Sequence, residues 1–343
     1  MDLFLFLALS GVVFLSSLIG TGAILPVLDA KGILDHPNER SSHSMPTPKG
    51  GGIVVIACIA VAWGMMATAA PQAGIILAVI AAALALALLS WADDLKGLNP
   101  LGRLLGQTAA VAFVLLSPLS DPFFSAPYFG GVVPGWLDTV FAGLVWLWFI
   151  NLFNFMDGID GLAGVETACV GIGIALVAVA TGLTAPFGAF GLTIAAAALG
   201  FLWWNWHPAK IFLGDVGSVP LGFLLGWLLL GLAQNGQWAA ALILPLYYLG
   251  DATITLLRRG LKGEKVWQAH RLHFYQHAVK TGLDHGQVVR HVLFVNLLLV
   301  ALAVAAARGW VWASLICAGV AVSGLLFFLG GDHAVPKEKG RRS

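Results

Sequence analysis

The segment that decides the reading is Leu144-Val-Trp-Leu-Trp-Phe-Ile150 running straight into Asn151-Leu-Phe-Asn154-Phe-Met-Asp157-Gly158-Ile-Asp160-Gly161-Leu162. Seven apolar residues are followed by four carboxylate or carboxamide side chains within ten positions. A carboxylate at bilayer depth is costly, so it marks a functional site by default. The polar groups recur every three residues. Each such step turns a helix by about 300°, which would put Asn151 and Asp160 on opposite faces of one continuous helix. The spacing therefore predicts that the helix ends near Asp157-Gly158 and that Asp160 caps the next one, so that all four groups face one pocket. The plainer alternative is two helix caps with incidental asparagines. Oxygen-rich groups of this kind suit a hard divalent cation and a phosphate-bearing ligand.

Composition sets the scale. The chain has 343 residues, 59% hydrophobic and 10% charged, with a mean hydropathy of +0.89; a soluble domain carries about 25% charged residues. Runs long enough to cross a bilayer fall at 3–25, 52–70, 74–92, 101–118, 137–155, 162–182, 187–206, 218–233, 238–257, 290–307 and 309–330. The expected fold is all-α, a polytopic integral membrane protein of about eleven spans, with ten as the alternative. With the N-terminus outside, seventeen of the eighteen Lys and Arg residues lie on the cytoplasmic side, leaving only Arg308 outside. The positive-inside rule asks for that bias. Residues 3–25 read as an uncleaved first span, because Asp2 replaces a basic n-region. Cys58, Cys169 and Cys317 lie in separate apolar runs, with no spacing for a disulfide framework or a thiolate metal site. Residues 1–335 are expected to form one membrane-embedded domain and 336–343 a short basic tail. The outside loops are plain, except for 119–136, rich in Pro, Gly and aromatics, which reads as a hairpin or interfacial loop.

The inside loops carry the chemistry. Lys49-Gly50-Gly51-Gly52 opens a helix, where backbone N–H groups could cradle phosphate, or where Pro and Gly merely punctuate a loop. Asp93-Asp94-Leu-Lys96 closes the third span; adjacent carboxylates there either face a cation or are solvated aspartates ending a helix. In Lys210-Ile-Phe212-Leu-Gly214-Asp215-Val-Gly217-Ser218, Asp215 is either a helix cap or a metal-bound carboxylate with Asn154 and Asp157 nearby. In the basic loop, His270, Arg271, His273 and His277 fall at helical spacing. Arg271 among histidines favours an anionic ligand over zinc, while a basic helix on anionic lipid heads is the plainer reading. Asp251 and Arg258, two turns apart, could tie the ninth span to this loop. Taken together, these groups are the equipment of Mg2+-assisted chemistry on phosphates. No inverted repeat of interrupted helices is visible, and the acidic groups cluster on one side, which weighs against a transporter.

At Arg40-Ser-Ser-His43 to Gly52, Asp93-Asp94, Asn151 to Leu162, Phe212 to Ser218 and His270 to His277, the chain resembles the polyprenyl-phosphate N-acetylhexosamine-1-phosphate transferases, of glycosyltransferase 4 type. The motifs occur in family order from about residue 35 to 280. His-Arg-Leu-His-Phe-Tyr-Gln at 270–276 resembles the branch that starts O-antigens or capsules. The phospho-MurNAc-pentapeptide branch usually shows three consecutive histidines there. The resemblance implies transfer of N-acetylhexosamine-1-phosphate (GlcNAc or a 6-deoxy relative such as FucNAc or QuiNAc) from a UDP-sugar to undecaprenyl phosphate, giving the lipid diphospho-sugar and UMP. It implies Mg2+ as cofactor, with Mn2+ able to substitute, held by Asn154 and Asp215. Asp93 or Asp94 would serve as base or acceptor-orienting group. Phe212, Asp157, Asp160 and Asn151 would line the nucleoside pocket, and Lys49, Arg103, His270, Arg271 and His273 would hold phosphate or sugar. The expected partners are the UDP-sugar, undecaprenyl phosphate, the lipid bilayer and a second copy of the chain in a homodimer, with no nucleic acid. The expected location is the bacterial inner membrane.

Overall fold

The computed structural model describes residues 3–37, 45–68, 70–71, 73–117, 127–128, 131, 133–183, 185–264 and 271–333. Its helices are α1 Leu3–Ala30, α2 Gly52–Ala67, α3 Ala73–Lys96, α4 Pro100–Leu115, α5 Gly135–Phe155, α6 Leu162–Thr181, α7 Ala185–Asn205, α8 Asp215–Leu232, α9 Trp238–Ile243, α10 Leu246–Leu261, α11 Phe274–Lys280, α12 His285–Ala307 and α13 Val311–Leu329. Among the described residues the only paired strands are a two-residue hairpin, β1 Leu34–Asp35 against β2 Thr47–Pro48. Arg40, His43, His270 and the tail 336–343 lie outside the described residues, as does most of the loop 119–136.

The fold is a multi-pass helical membrane protein. Among the described residues, eight helices are long and apolar enough to cross a bilayer, with α8 and α9 counted as one. Those two meet at a kink where Asn235 and Gly236 leave helical geometry. The expected count of eleven is therefore not reproduced by length alone, for two physical reasons. Helices α2 and α4 have 16 residues each, about 24 Å of rise against a hydrocarbon core of about 30 Å. The expected ninth span is broken at Leu244-Pro245, where Pro245 precedes α10 and offers no N–H to continue the ladder.

Helix α8 is the centre of the bundle. Every residue from Val216 to Leu232 is buried, as expected of a helix that is apolar all round. Helices α3 and α5 pack along it, α6 packs against α7 and α12, and α13 lies against α12 and α10. Buried indoles find acceptors: Trp146 Nε1 donates to the Phe223 carbonyl at 2.9 Å and Trp63 Nε1 to Thr193 Oγ1 at 3.1 Å. Between α6 and α12, Asn296 Nδ2 donates to Glu166 Oε2 at 2.7 Å, a buried pair that the apolar pattern of the sixth run conceals. Leu88, Phe113, Leu144, Phe294 and Phe327 point outward and stay exposed, the side that lipid would cover.

The break in the opening segment is where the spacing puts it. Helix α5 stops at Phe155 and α6 starts at Leu162. The expected cap differs. Gly161, at φ 78°, occupies the cap position of α6 without a side-chain bond, because the Asp160 carboxylate is engaged elsewhere.

Candidate active site

The ends of α3, α5 and α10 and the beginnings of α4, α6, α8 and α12 gather at one end of the bundle. Asp93 and Asp94, about 100° apart on the last turn of α3, point to different partners. Asp93 Oδ2 accepts from Arg103 of α4 at 2.8 Å, and its Oδ1 from the Leu98 N–H at 2.5 Å. Asp94 Oδ2 accepts from the Val216 N–H at the start of α8 at 3.0 Å, with Lys49 Nζ at 3.6 Å from its Oδ1. Arg103 also reaches Asp215 Oδ2 at 3.4 Å. Asn154 Nδ2 lies 2.8 Å from both Asp215 Oδ1 and Ser218 Oγ. As the first residue of α8, Asp215 meets the favourable end of the helix dipole.

Asp157 joins this group through charge. Burial pushes its carboxyl well above the usual range, and the Asp215 and Asp94 carboxylates push it the same way. Four carboxylates thus share a neighbourhood with two cations, Arg103 and Lys49. The surplus of negative charge, carried on oxygen donors beside an asparagine amide and a serine hydroxyl, is what a divalent hard cation would neutralise. The residues present therefore fit Mg2+.

Asp215, Arg103, Asn154, Asn151 and Gln107 line a cavity of about 460 Å³; leucines of α3 and α4, Phe155 and Val219 form its apolar side, with Ser90, Asn99 and Pro100 beside them. Asn151 donates to Gln107 Oε1 and to the Leu147 carbonyl, both at 2.8 Å, so its amide lies on the cavity wall and is bound there.

Other candidates lie apart from the carboxylates. The glycine N–H groups expected to cradle phosphate are occupied: Gly50 and Gly51 donate to the Phe212 carbonyl at 3.1 and 2.9 Å, and Gly52 to the Leu213 carbonyl at 2.9 Å. With Phe212 N–H donating to the Pro48 carbonyl at 2.8 Å, this ribbon-like pairing locks the 47–52 segment to the approach of α8. It delivers Lys49 to Asp94, and the Phe212 side chain remains half-buried. Asp160 is buried, with Oδ2 at 2.6 Å from His207 Nδ1 and 3.1 Å from the Ala209 N–H, and Oδ1 at 3.3 Å from His285 Nδ1. Burial alone would raise its carboxyl, but His285 and His207 outweigh that and hold it down to about 2. Aspartate and histidines together staple α6, the 206–209 turn and α12.

Of the three basic-loop histidines at helical spacing, His270 lies outside the described residues, and His273 and His277 do not share a helix. Helix α11 begins at Phe274, and His273 stands before it with extended backbone at φ −62° and ψ 149°. His273 is buried, its Nδ1 3.0 Å from Asp251 Oδ1. Asp251 also accepts from the Phe274 and Tyr275 N–H groups at 3.1 and 3.3 Å. Arg258 stacks on Phe274, 4.8 Å from the ring centroid. Asp251 and Arg258 thus join α10 to this loop, as their spacing suggests. Arg271 lines a second cavity that shares no residue with the first. Tyr275 spans the gap between loop and site: its hydroxyl donates to the Phe155 carbonyl at 3.0 Å, and its ring fits against Gly158, where a side chain would collide with it.

Sequence reasoning missed Ser218, Asn205, His207, His285, Gln107 and Tyr275 as parts of this assembly. Asn205 accepts from the Gly161 N–H and donates to the Ile211 carbonyl, both at 2.9 Å. It ends an apolar run just as Asn154 does, and that signal could have found it.

The sequence profile of glycosyl transferase family 4 matches residues 75–233, which hold Asp93, Asp94, Arg103, Asn151, Asn154, Asp157 and Asp215. A probable undecaprenyl-phosphate N-acetylglucosaminyl 1-phosphate transferase of Bacillus subtilis (strain 168) is 28% identical over 314 residues, covering 89% of this chain and 87% of the relative. A decaprenyl-phosphate N-acetylglucosaminephosphotransferase of Mycolicibacterium smegmatis is 30% identical over 292 residues, 75% of this chain and 71% of the relative. A phospho-N-acetylmuramoyl-pentapeptide-transferase of Desulforamulus reducens is 31% identical over 294 residues, 78% of this chain and 84% of the relative. With this architecture, this carboxylate cluster and these relatives, the chain belongs to glycosyl transferase family 4, within the superfamily of polyprenyl-phosphate sugar-phosphate transferases.

Proposed function

We propose that the chain transfers an N-acetylhexosamine-1-phosphate, GlcNAc or a 6-deoxy relative, from a UDP-sugar to undecaprenyl phosphate, releasing UMP. The observation that carries this reading is the cavity in which Asp215, Arg103 and Asn154 meet leucine walls. Leu101 and Leu104 on its rim are 60% and 42% exposed. Such a site suits a ligand with a phosphate head and a hydrocarbon tail, presented from the bilayer. The product would start an O-antigen, capsule or related envelope polysaccharide.

The chemistry asks little of a general base. A phosphate monoester has a second pKa of about 6 and is mostly dianionic at neutral pH. The obstacle is bringing two anions together, so preorganised positive charge carries the catalysis. Arg103 holds Asp93 and Asp215 in register, and Lys49 and the Val216 N–H fix Asp94; both aspartates of the pair then act as orienting groups. Asp215 and Asn154 would hold Mg2+, with Asp94 and Asp157 close by, and the bound ion would neutralise charge on the diphosphate. One phosphoanhydride replaces another, so the transfer is reversible and close to thermoneutral. Attack is in line and direct, without a phospho-aspartyl intermediate.

Connectivity supports one arrangement in the membrane. The site collects the start of α2, the end of α3, the start of α4 and the end of α5, so α2 and α4 also pass through the bundle despite their length. If the chain reverses at the Asn235-Gly236 kink, α8 is one passage and the broken α9–α10 pair the next; the chain then makes eleven passages, with its N-terminus outside and the site on the cytoplasmic face of the bacterial inner membrane. The basic residues around the site support that orientation.

A second reading, transfer of phospho-MurNAc-pentapeptide, is favoured by the relatives that carry that name. A panel of UDP-sugars, including UDP-MurNAc-pentapeptide, assayed for UMP release with undecaprenyl phosphate and Mg2+ tests both. Release from UDP-N-acetylhexosamines supports the first reading, and release from the pentapeptide donor alone replaces it with the second. If no donor releases UMP, the transferase reading fails.

A further inference from the structure

The second cavity, about 630 Å³, opens between α10, α11 and the last turn of α13. Its polar wall consists of Arg258, Arg271, His277 and Lys280. Its apolar wall comes from Leu272, Leu326 and Phe327. Phe327 is 85% and Leu272 52% exposed, and on the neighbouring α10 Leu257 and Leu261 are exposed too. The basic groups therefore sit where the apolar, outward-facing surface of a spanning helix ends.

Charge balance points to an anion. Among the described residues, neither Arg258 nor Lys280 has a carboxylate within ion-pair distance. Lys280 Nζ donates to the Arg271 carbonyl at 2.9 Å, and Arg258 is stacked on Phe274. Asp332, 3.9 Å from His277 Nε2, is 95% exposed and reaches only the rim. A soluble anion would leave the phenylalanine and leucine side of the cavity against water. A lipid phosphate satisfies both walls at once, with the charge on the guanidinium and ammonium and the chains along α10 and α13.

We infer that this cavity binds one anionic phospholipid, its phosphate between Arg258 and Lys280 and its acyl chains against Leu326, Phe327 and Leu257. The bound lipid would link α13 to the loop that Asp251 and Tyr275 connect to the catalytic carboxylates.

The test is lipid retention by the full chain purified in detergent, read by native mass spectrometry after incubation with equal phosphatidylglycerol and phosphatidylcholine. The wild type should keep one phosphatidylglycerol in preference to phosphatidylcholine. Each interfacial charge contributes about fivefold in affinity. Lys280→Gln should therefore weaken retention about fivefold, and the Arg258→Gln, Lys280→Gln double variant roughly 30-fold. Lys280 is exposed, so the single variant should keep the wild-type melting temperature and remains informative if the double variant fails to fold. Millimolar inorganic phosphate or UMP should not displace the lipid. The inference is overturned by equal retention of the two lipids, by unchanged retention in a folded Lys280→Gln protein, or by displacement with phosphate or UMP, which would make the cavity a soluble-anion site. Retention is read without turnover, so its outcome is separable from that of the transferase assay.

Discussion

Replacing Gly214 by alanine probes how the backbone holds the carboxylates together. Gly214 sits at φ 76° and ψ 167° immediately before Asp215. That region is essentially restricted to glycine and costs about 1–3 kcal/mol for other residues. The added Cβ would lie 3.0 Å from Asp94 Oδ2 and 3.4 Å from the Gly50 nitrogen. The backbone term acts on stability, and a domain stable by about 5–15 kcal/mol survives it. The contact term acts on geometry, because Asp94 must yield by a few tenths of an ångström and Asp94 accepts from Val216, which follows Asp215 directly. A misplacement of about 1 Å can cost about 100-fold in rate, so the smaller shift here should cost about tenfold. Gly214→Ala should therefore lower the melting temperature in detergent and reduce kcat/KM for UMP release about tenfold. A folded variant that turns over like the wild type would refute the idea that this junction sets the carboxylate geometry. An unchanged melting temperature would refute the backbone strain.

Other outcomes follow from the same contacts. Arg103→Gln removes the cation shared by Asp93 and Asp215, so turnover should fall more than about tenfold while apparent Mg2+ affinity rises; a parallel loss of both would argue against charge balance in the cluster. Asp215→Ala should abolish UMP release without unfolding the protein, and substantial residual turnover would remove Asp215 from the metal site. Tyr275→Phe leaves the Phe155 carbonyl without its donor, and thermal unfolding should show a loss of about 1–2 kcal/mol; no change would mean that water replaces the bond. The Asp160 carboxyl is held down to about 2 from an ordinary 3.8. Its contribution is therefore fully present above pH 4 and is lost as pH falls through 2. Asp160→Asn should cost about 1–2 kcal/mol at pH 7, after discounting for solvent screening, with the difference from wild type shrinking below pH 4. A penalty independent of pH would mean that packing, not charge, is lost.

The helical, multi-pass nature of the fold and the break after Phe155 were legible because both are periodic: long apolar runs, and polar groups every third residue. The candidate site was legible at Asp93, Asp94 and Asn154, where costly polar groups end apolar runs, and at Asp215, where one opens a run. What escaped were pairings between distant segments. Nothing in Lys49 to Gly52 announces that three glycine N–H groups will face the Phe212 and Leu213 carbonyls far along the chain, and a glycine-rich helix start reads equally well as a phosphate cradle. Asp160 reads as a helix cap until His207, from the 206–209 turn, and His285, at the start of α12, compete for its oxygens. The histidines at 270, 273 and 277 have helical spacing, but Asp251 captures the N–H groups at the start of α11, so the helix begins only after His273.

The central claim is that a sugar with its phosphate moves from nucleotide to lipid. The most direct measurement follows label in the β-phosphate of a UDP-N-acetylhexosamine incubated with the purified protein, undecaprenyl phosphate and Mg2+. The account predicts label in a lipid diphospho-sugar in amounts equal to the UMP released, and none with Asp215→Ala. Label that stays in soluble sugar phosphate, or lipid carrying sugar without the labelled phosphorus, would contradict it.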